Sequence, residues 1–86
     1  MTYSVEVLEE AVVDLEKLTS ATQDRILRKV QWLAENFETL TPLGLSGRLS
    51  GLFKLRVGDY RVIYSFNADA KHIVVRQIGH RRDIYL

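Results

Sequence analysis

Cysteine is absent from this 86-residue sequence, and proline and methionine each occur only once. Without cysteine, the chain has neither disulfides nor thiolate ligands for a metal. No apolar run approaches the roughly 20 residues that a membrane-spanning helix needs. The N-terminus, residues 1–6, has no basic region followed by the apolar run of a signal peptide. We therefore expect a cytoplasmic protein that is not inserted in a membrane.

Residues that build common catalytic sites are also few. The two histidines, His72 and His80, have no cluster of carboxylates near them at metal-ligand spacing. No serine lies in a Gly-x-Ser-x-Gly turn, and no glycine-rich phosphate loop precedes a helix. These absences argue against metalloenzymes, serine hydrolases and P-loop nucleotide hydrolases. We expect neither a metal nor a small-molecule cofactor.

Net charge is nearly absent as well, at +1, but the charges are unevenly distributed. Residues 1–46 contain four bases and eight acids, whereas residues 47–86 contain eight bases and three acids. Such asymmetry indicates a localised electrostatic field for a polyanion, most naturally nucleic acid. Basic side chains scattered over a solvated surface would account for the same count, so composition alone leaves both interpretations open.

The apolar pattern predicts a single domain, residues 1–86, whose N-terminal half is a strand followed by two helices. Residues 3–7 alternate as a short strand, after which the spacing becomes helical. Ser20, with Gln23 three residues later, predicts the capping box of the second helix. The predicted apolar stripes are Leu8, Val12 and Leu15 in the first helix and Ile26, Leu27, Val30, Leu33, Ala34 and Phe37 in the second.

The C-terminal half is rich in β-forming residues. A loop over residues 36–51 contains the only proline and leads into three short runs, Leu52–Val57, Tyr60–Asn67 and His72–Ile78. The predicted order is therefore β-α-α-β-β-β. We predict an α+β fold in which a two-helix hairpin packs on a small antiparallel sheet.

The hairpin between the first two of these runs has a predictable register. A two-residue turn at Gly58-Asp59 pairs Val57 with Tyr60 and places Arg56 opposite Arg61. Side chains alternate between faces, so one face is apolar and covers the helices while the other is basic. The apolar face consists of Phe53, Leu55, Val57, Tyr60, Val62, Tyr64 and Phe66; the basic open face consists of Lys54, Arg56, Arg61 and, if Asn67 pairs with His72, Arg76. We also expect Trp32 to be buried or partly buried.

Like charges directly opposite each other destabilise a sheet, so the pair of Arg56 and Arg61 needs an explanation. Solvent and a nearby carboxylate, Asp59 or Asp69, would compensate the two charges. Alternatively an anion such as a phosphate binds there, since a guanidinium can hold phosphate through two hydrogen bonds. The open face is therefore a candidate phosphate site.

Two segments resemble the toxins of the RelE/ParE superfamily: Leu-Phe-Lys-Leu-Arg-Val-Gly-Asp-Tyr-Arg-Val-Ile-Tyr at 52–64 and Ile-Gly-His-Arg-Arg-Asp-Ile-Tyr at 78–85. The predicted element order agrees with a RelE-like fold, so the resemblance covers nearly the whole chain. It implies a toxin of a type II toxin–antitoxin system. Some members are ribosome-dependent endoribonucleases (mRNA interferases), and others inhibit DNA gyrase without catalytic activity of their own. A degraded toxin that serves only as an antitoxin-binding co-repressor is a third possibility.

RelE-like members cut mRNA in the ribosomal A site through attack of a 2′-hydroxyl on the neighbouring phosphodiester, without a metal. The resemblance implies catalytic roles for Lys54, Arg61, Arg81 and Tyr85, and RNA-binding roles for Arg56, Arg76, His80 and Arg82. From its position alone, Tyr85 could either stack on a base or pack against the domain. RelE-like enzymes can carry a second lysine two residues before the first, but here that position is Leu52. The resemblance therefore leaves the general base unassigned.

The expected partners are a cognate antitoxin, mRNA and the ribosome. The chain ends five residues after Arg81, which leaves no room for a C-terminal helix that an antitoxin could displace. We therefore expect the antitoxin to lay an extended or helical segment over the helices or the sheet.

Overall fold

The structure, a computed structural model, describes residues 2–83. Two helices pack on one face of a five-stranded sheet, which confirms the predicted α+β fold class. The elements are β1 (Ser4–Val7), α1 (Glu9–Glu16), α2 (Ser20–Asn36), β2 (Leu43–Gly44), β3 (Phe53–Val57), β4 (Tyr60–Asn67) and β5 (His72–His80). Within residues 2–83, neither helix has the length and apolar character needed to cross a bilayer.

The sheet is mixed, with the strand order β1-β5-β4-β3-β2. Strands β2 to β5 pair in antiparallel fashion, but β1 runs parallel to β5, with Val5 opposite Ile73. The expectation of a wholly antiparallel sheet is therefore wrong for β1. A parallel pair needs a long crossover connection, and the helices together with the β2–β4 meander provide it. Strand β2, a two-residue addition at the other edge, was not predicted.

The helices bury narrower stripes than the sequence predicts. In α1 the buried residues are Ala11 and Leu15, whereas Val12 is 40% exposed. In α2 the stripe of Ile26, Val30, Leu33 and Ala34 is buried, whereas Leu27 is 44% exposed. Successive helical residues point about 100° apart, so Leu27 lies off the stripe centred on Ile26. The prediction is wrong at Val12 and Leu27.

Helix α2 begins one residue earlier than the predicted capping box. Thr19 is the N-cap, because its backbone is extended and its hydroxyl accepts a hydrogen bond from the Thr22 amide at 3.3 Å. Gln23 donates through its side chain to the Leu18 carbonyl at 2.9 Å. Ser20 is therefore the first helical residue and not the cap.

The register of β3 and β4 is as predicted, with Val57 opposite Tyr60 and Arg56 opposite Arg61. Gly58 has a φ of 60°, which side-chain-bearing residues rarely adopt. Glycine at the first central position suits a two-residue hairpin turn, whose twist matches that of the strands.

The pairing of β4 with β5 starts as predicted and then shifts. Asn67 lies opposite His72, but Ile63 pairs with Gln77 and Tyr64 with Val75, so Arg76 is an extra residue in a β-bulge. Direct pairing of Arg76 with a residue of β4 is thus ruled out. Arg76 nevertheless lies on the open face, because its Nε donates to Ser65 Oγ at 2.9 Å.

The core has an aliphatic part and an aromatic part. The buried aliphatic cluster consists of Ala11, Leu15, Ile26, Val30, Val57, Val62, Val75 and Ile78; the aromatic cluster contains Tyr3, Phe37 and Tyr64, with Leu33, Ala34 and Ile73. Burial raises the pKa of Tyr64 to about 12, so this phenol stays protonated near neutral pH. Trp32, predicted to be at least partly buried, is 39% exposed.

Candidate nucleic-acid interface

The open face carries three basic side chains in adjacent positions of β3 and β4. Arg56 and Arg61 are direct cross-strand partners, and Lys54 lies two residues before Arg56 on the same face of β3. Residues two apart on a strand are separated by roughly 7 Å, and opposite residues by roughly 5 Å. Arg56 is exposed, whereas Lys54 and Arg61 are half-buried. Three cations thus lie within the span of one or two phosphate groups.

No carboxylate in the described part of the chain neutralises the arginine pair. Within residues 2–83, neither Arg56 nor Arg61 forms an ion pair. Of the two acids considered from the sequence, Asp59 lies 4.0 Å from Arg81 Nε, and Asp69 forms no ion pair in the same range. Compensation by a protein carboxylate therefore does not occur there. The two like charges favour an external anion.

Arg81 follows the last residue of β5, whose end is held at two points. The Ile78 amide donates to Asp14 Oδ2 of α1 at 3.0 Å, and the Arg81 amide donates to the Asp59 carbonyl at 2.8 Å. The second hydrogen bond brings Arg81 to the β3–β4 turn, the end of the sheet where Arg56 and Arg61 lie. The Arg81–Asp59 ion pair is long and exposed, so it contributes little stability and leaves the guanidinium accessible.

His80 does not join the open face. It lies opposite Tyr60, and the two rings meet edge to face with centroids 5.4 Å apart on the helix side of the sheet. Its Nδ1 accepts a hydrogen bond from the Arg82 amide at 3.2 Å, so the neutral ring carries its proton on Nε2. The structure therefore separates His80 from Arg61. The Arg82 side chain is exposed beyond β5, and Tyr85 lies outside the described residues.

His72 has a structural setting at the other end of the sheet. Its Nδ1 lies 2.6 Å from Ser4 Oγ and its Nε2 lies 3.2 Å from Glu6 Oε1. These contacts join β1 to β5. Within residues 2–83, no three histidine or carboxylate side chains form a group that could hold a metal ion.

Sequence reasoning missed a second basic region, on α2. Arg25, Arg28 and Lys29 line a groove together with Trp32 and Arg56. The signal was present, because residues at i, i+3 and i+4 share one face of a helix. It was obscured by the net negative charge of residues 1–46, which comes from acids elsewhere in that half.

Comparison with known protein families matches residues 5–85 to the ParE toxin of the type II toxin–antitoxin system parDE. A search of curated proteins found no match.

Several solved structures are similar over nearly the whole chain. The archaeal RelE–RelB complex from Pyrococcus horikoshii contains a chain 31% identical, with a TM-score of 0.72, covering 98% of this chain and 100% of that one. The RelBE2 toxin–antitoxin complex from Mycobacterium tuberculosis contains a chain that is 25% identical, with a TM-score of 0.86. The match covers 96% of this chain and 95% of that one. The isolated RelE toxin of Escherichia coli has the same fold, with 20% identity and a TM-score of 0.73. The match covers 91% of this chain and 83% of that one.

Proposed function

This chain belongs to the RelE/ParE superfamily of type II toxin–antitoxin toxins, and we propose that it is an endoribonuclease that cleaves mRNA in the ribosomal A site. The observation that carries the proposal is the pair of Arg56 and Arg61, which face each other without a carboxylate within residues 2–83. A phosphodiester placed between them supplies the missing negative charge.

The proposed reaction is an internal transfer at phosphorus. The 2′-oxygen forms a bond to the adjacent phosphorus, the bond from phosphorus to the 5′-oxygen breaks, and the products are a 2′,3′-cyclic phosphate and a 5′-hydroxyl. One proton passes from the 2′-hydroxyl to Lys54 and one passes from solvent water to the departing 5′-oxygen, so no oxidant, reductant or covalent enzyme intermediate is required. The ribosome holds the mRNA in the geometry for in-line attack, which explains how a shallow site suffices.

Each basic residue has a role in this proposal. Lys54, as the neutral amine, accepts the proton of the 2′-hydroxyl. RelE-like relatives can carry a further lysine at the position where this chain has Leu52. Arg61, supported by Arg56, stabilises the charge that develops on the pentacoordinate phosphorus. Arg81 is held beside the same end of the sheet and stabilises the departing oxygen as a charge, since a guanidinium is a poor proton donor.

The remaining sequence-predicted residues complete the proposed site. Arg76 and Arg82 bind flanking phosphates in this proposal, and Tyr85, which lies outside the described residues, keeps the catalytic role that the resemblance implies. His80 packs against Tyr60 on the helix side of the sheet and does not face the open side with Arg61, so we assign it no catalytic step.

The second candidate is inhibition of DNA gyrase without catalysis. It is favoured by one finding, the match of residues 5–85 to the ParE toxin description, whereas the similar structures described above are of RelE proteins. A binder of gyrase needs no cluster of cations arranged around one phosphate. The cluster on the open face is why we place RNA cleavage first.

Cell-free translation with added purified protein separates the two functions. If the proposal is correct, the 3′ ends of the mRNA fragments map to the A site and carry cyclic phosphates, and cleavage requires ribosomes. Intact mRNA together with gyrase covalently linked to cleaved DNA would establish the second function. If neither is observed, both are refuted, and a role restricted to antitoxin binding and co-repression becomes the better account.

We further propose a cognate antitoxin as the partner that restrains the toxin. The similar chains from M. tuberculosis and P. horikoshii were solved in complex with their antitoxins. A face with two unneutralised arginines attracts an acidic, amphipathic segment that becomes ordered on binding. Its carboxylates would replace the substrate phosphates and relieve the same repulsion.

This proposal predicts that toxin–antitoxin affinity depends on salt through Arg56. The dissociation constant should rise from low to high salt more steeply in the wild type than in Arg56→Ala, because screening acts on the charge pairs that the variant lacks. Isothermal titration calorimetry at several salt concentrations measures both slopes. Lys17→Gln, which removes a charge from the end of α1, should retain the wild-type slope. Equal slopes for Arg56→Ala and the wild type would mean that the antitoxin inhibits by steric exclusion alone.

A further inference from the structure

A second basic groove lies between α2 and the free edge of β3. It has a volume of about 490 Å³ and is lined by Arg25, Arg28, Lys29, Trp32, Arg56, Val57 and Gly58. Strand β2 pairs only with Phe53 and Lys54, so residues 55–57 have no strand beyond them and α2 forms the other wall. We refer to this feature as the α2 groove.

The α2 groove is lined by four cations and by no carboxylate. Within residues 2–83, none of the four forms an ion pair. Arg28 and Trp32 also line a neighbouring depression on α2 together with Asp24 and Glu35, so the acids lie on the side of the helix away from β3. Clustered cations without counter-charges raise the local potential and attract a polyanion.

Arg25 is positioned by the turn between β3 and β4. A Cβ on Gly58 would lie only 2.8 Å from Arg25 Nη2, so this guanidinium packs directly over the glycine. The guanidinium at the end of the Arg25 side chain thus connects α2 to the β3–β4 turn. The cations of the helix and those of the strand consequently form one continuous surface.

Trp32 gives the groove a chemistry suited to nucleic acid. The indole is 39% exposed, and Lys29 Nζ lies 3.8 Å from the centre of its ring. Single-stranded nucleic acids bind where cations contact the backbone and an exposed aromatic ring stacks on a base. An acidic peptide would also be attracted to the cations, but a purely acidic chain such as polyglutamate has no ring to stack on the indole.

Arg56 belongs to both basic surfaces, since it faces Arg61 across the sheet and also lines the α2 groove. We propose that the α2 groove binds the backbone of single-stranded RNA, on the stretch that flanks the segment held on the open face. This assignment rests on the proposed function for its choice of RNA. It adds a second contact surface, reached around the edge of β3.

The test uses Trp32, the only tryptophan in the chain, as a reporter within the groove itself. The probe is a 2′-O-methyl RNA oligonucleotide, which lacks the attacking hydroxyl and cannot be cleaved. Titration should change the Trp32 emission to saturation, and the affinity should fall with salt at a slope of about −0.7 per contacted phosphate. Anisotropy of the same RNA with a terminal dye reports total binding independently.

The diagnostic variant is Arg28→Gln/Lys29→Gln, in which glutamine retains the helix propensity of the residues it replaces. The salt slope should become shallower by about 1.4, since two phosphate contacts are lost. The matched control, Lys17→Gln/Lys71→Gln, lowers the net charge equally but lies outside the groove, and should keep the wild-type slope.

Three results would overturn the assignment: no binding of the RNA, binding without any change in Trp32 emission, or equal slopes for the α2 variant and the wild type. A polyglutamate of equal charge that competes as well as RNA would also overturn it, in favour of an acidic protein. Intact mRNA in the translation assay, with saturable Trp32 quenching that the α2 variant weakens, would refute the proposed cleavage yet support RNA binding in the groove.

Discussion

The Arg61→Ala variant is expected to lose about 100- to 1,000-fold of its mRNA cleavage rate, the cost of removing one preorganised charge contact to a transition state. The effect should appear mainly in kcat, because the charge on phosphorus is greatest in the pentacoordinate state. Arg61→Lys should retain part of the rate, since lysine keeps the charge but cannot form two parallel hydrogen bonds.

The rate of fragment formation in a ribosome-dependent assay measures this loss. Strand alternation predicts a solvent-facing side chain at position 61, and the structure shows it half-buried, so stability needs its own control. Thermal unfolding of Arg61→Ala should stay close to that of the wild type, because no carboxylate within residues 2–83 forms an ion pair with this guanidinium. Lys17→Gln should cleave at the wild-type rate. A collapse of the melting temperature in Arg61→Ala would show that the residue is structural.

The Ile26→Ala variant is expected to lower the free energy of unfolding by about 2–5 kcal/mol. Ile26 is fully buried where α2 meets the sheet, in the cluster that contains Val62 and Val75. Truncation leaves a cavity that the surrounding strands cannot fill, because the core is close-packed. For a small domain of marginal stability this loss is a large fraction of the total.

Urea denaturation measures the change, and the adjacent residue supplies the control. Leu27 is 44% exposed, so Leu27→Ala should change the free energy of unfolding by no more than about 0.5 kcal/mol. If the two variants were equally destabilised, α2 would pack with a different face on the sheet. That result would also contradict the exposure of Arg28 and the geometry of the α2 groove.

Local chemistry explains why the open face could be predicted. Two residues at Gly58-Asp59 permit only one close pairing of the flanking strands, and alternation then assigns each side chain to a face. The opposition of Arg56 and Arg61 follows from these rules, and the structure has that register. The site residues beyond this hairpin depend on longer-range contacts, and their catalytic roles remain predictions.

The pairing and burial of residues that depend on contacts between distant segments could not be predicted from local rules. The bulge at Arg76 is one extra residue in β5, and no local signal marks it. The placement of His80 follows from that shift, because the bulge moves His80 opposite Tyr60. Burial was also overestimated at Leu27 and Trp32, since an apolar residue at the margin of a stripe is covered only if a neighbouring element reaches it.

The sequence by itself determined the α+β class, the helix hairpin, the β3–β4 register and the basic face, because each depends on short-range periodicity or turn geometry. Only the tertiary structure decided that β1 pairs in parallel with β5 and that Arg81 reaches the β3–β4 turn. It also decided that three bases of α2 meet Arg56 in one groove. These features arise where segments far apart in the chain pack together. The periodicity of each segment shows which of its faces is apolar or basic, but not which other segment that face will contact.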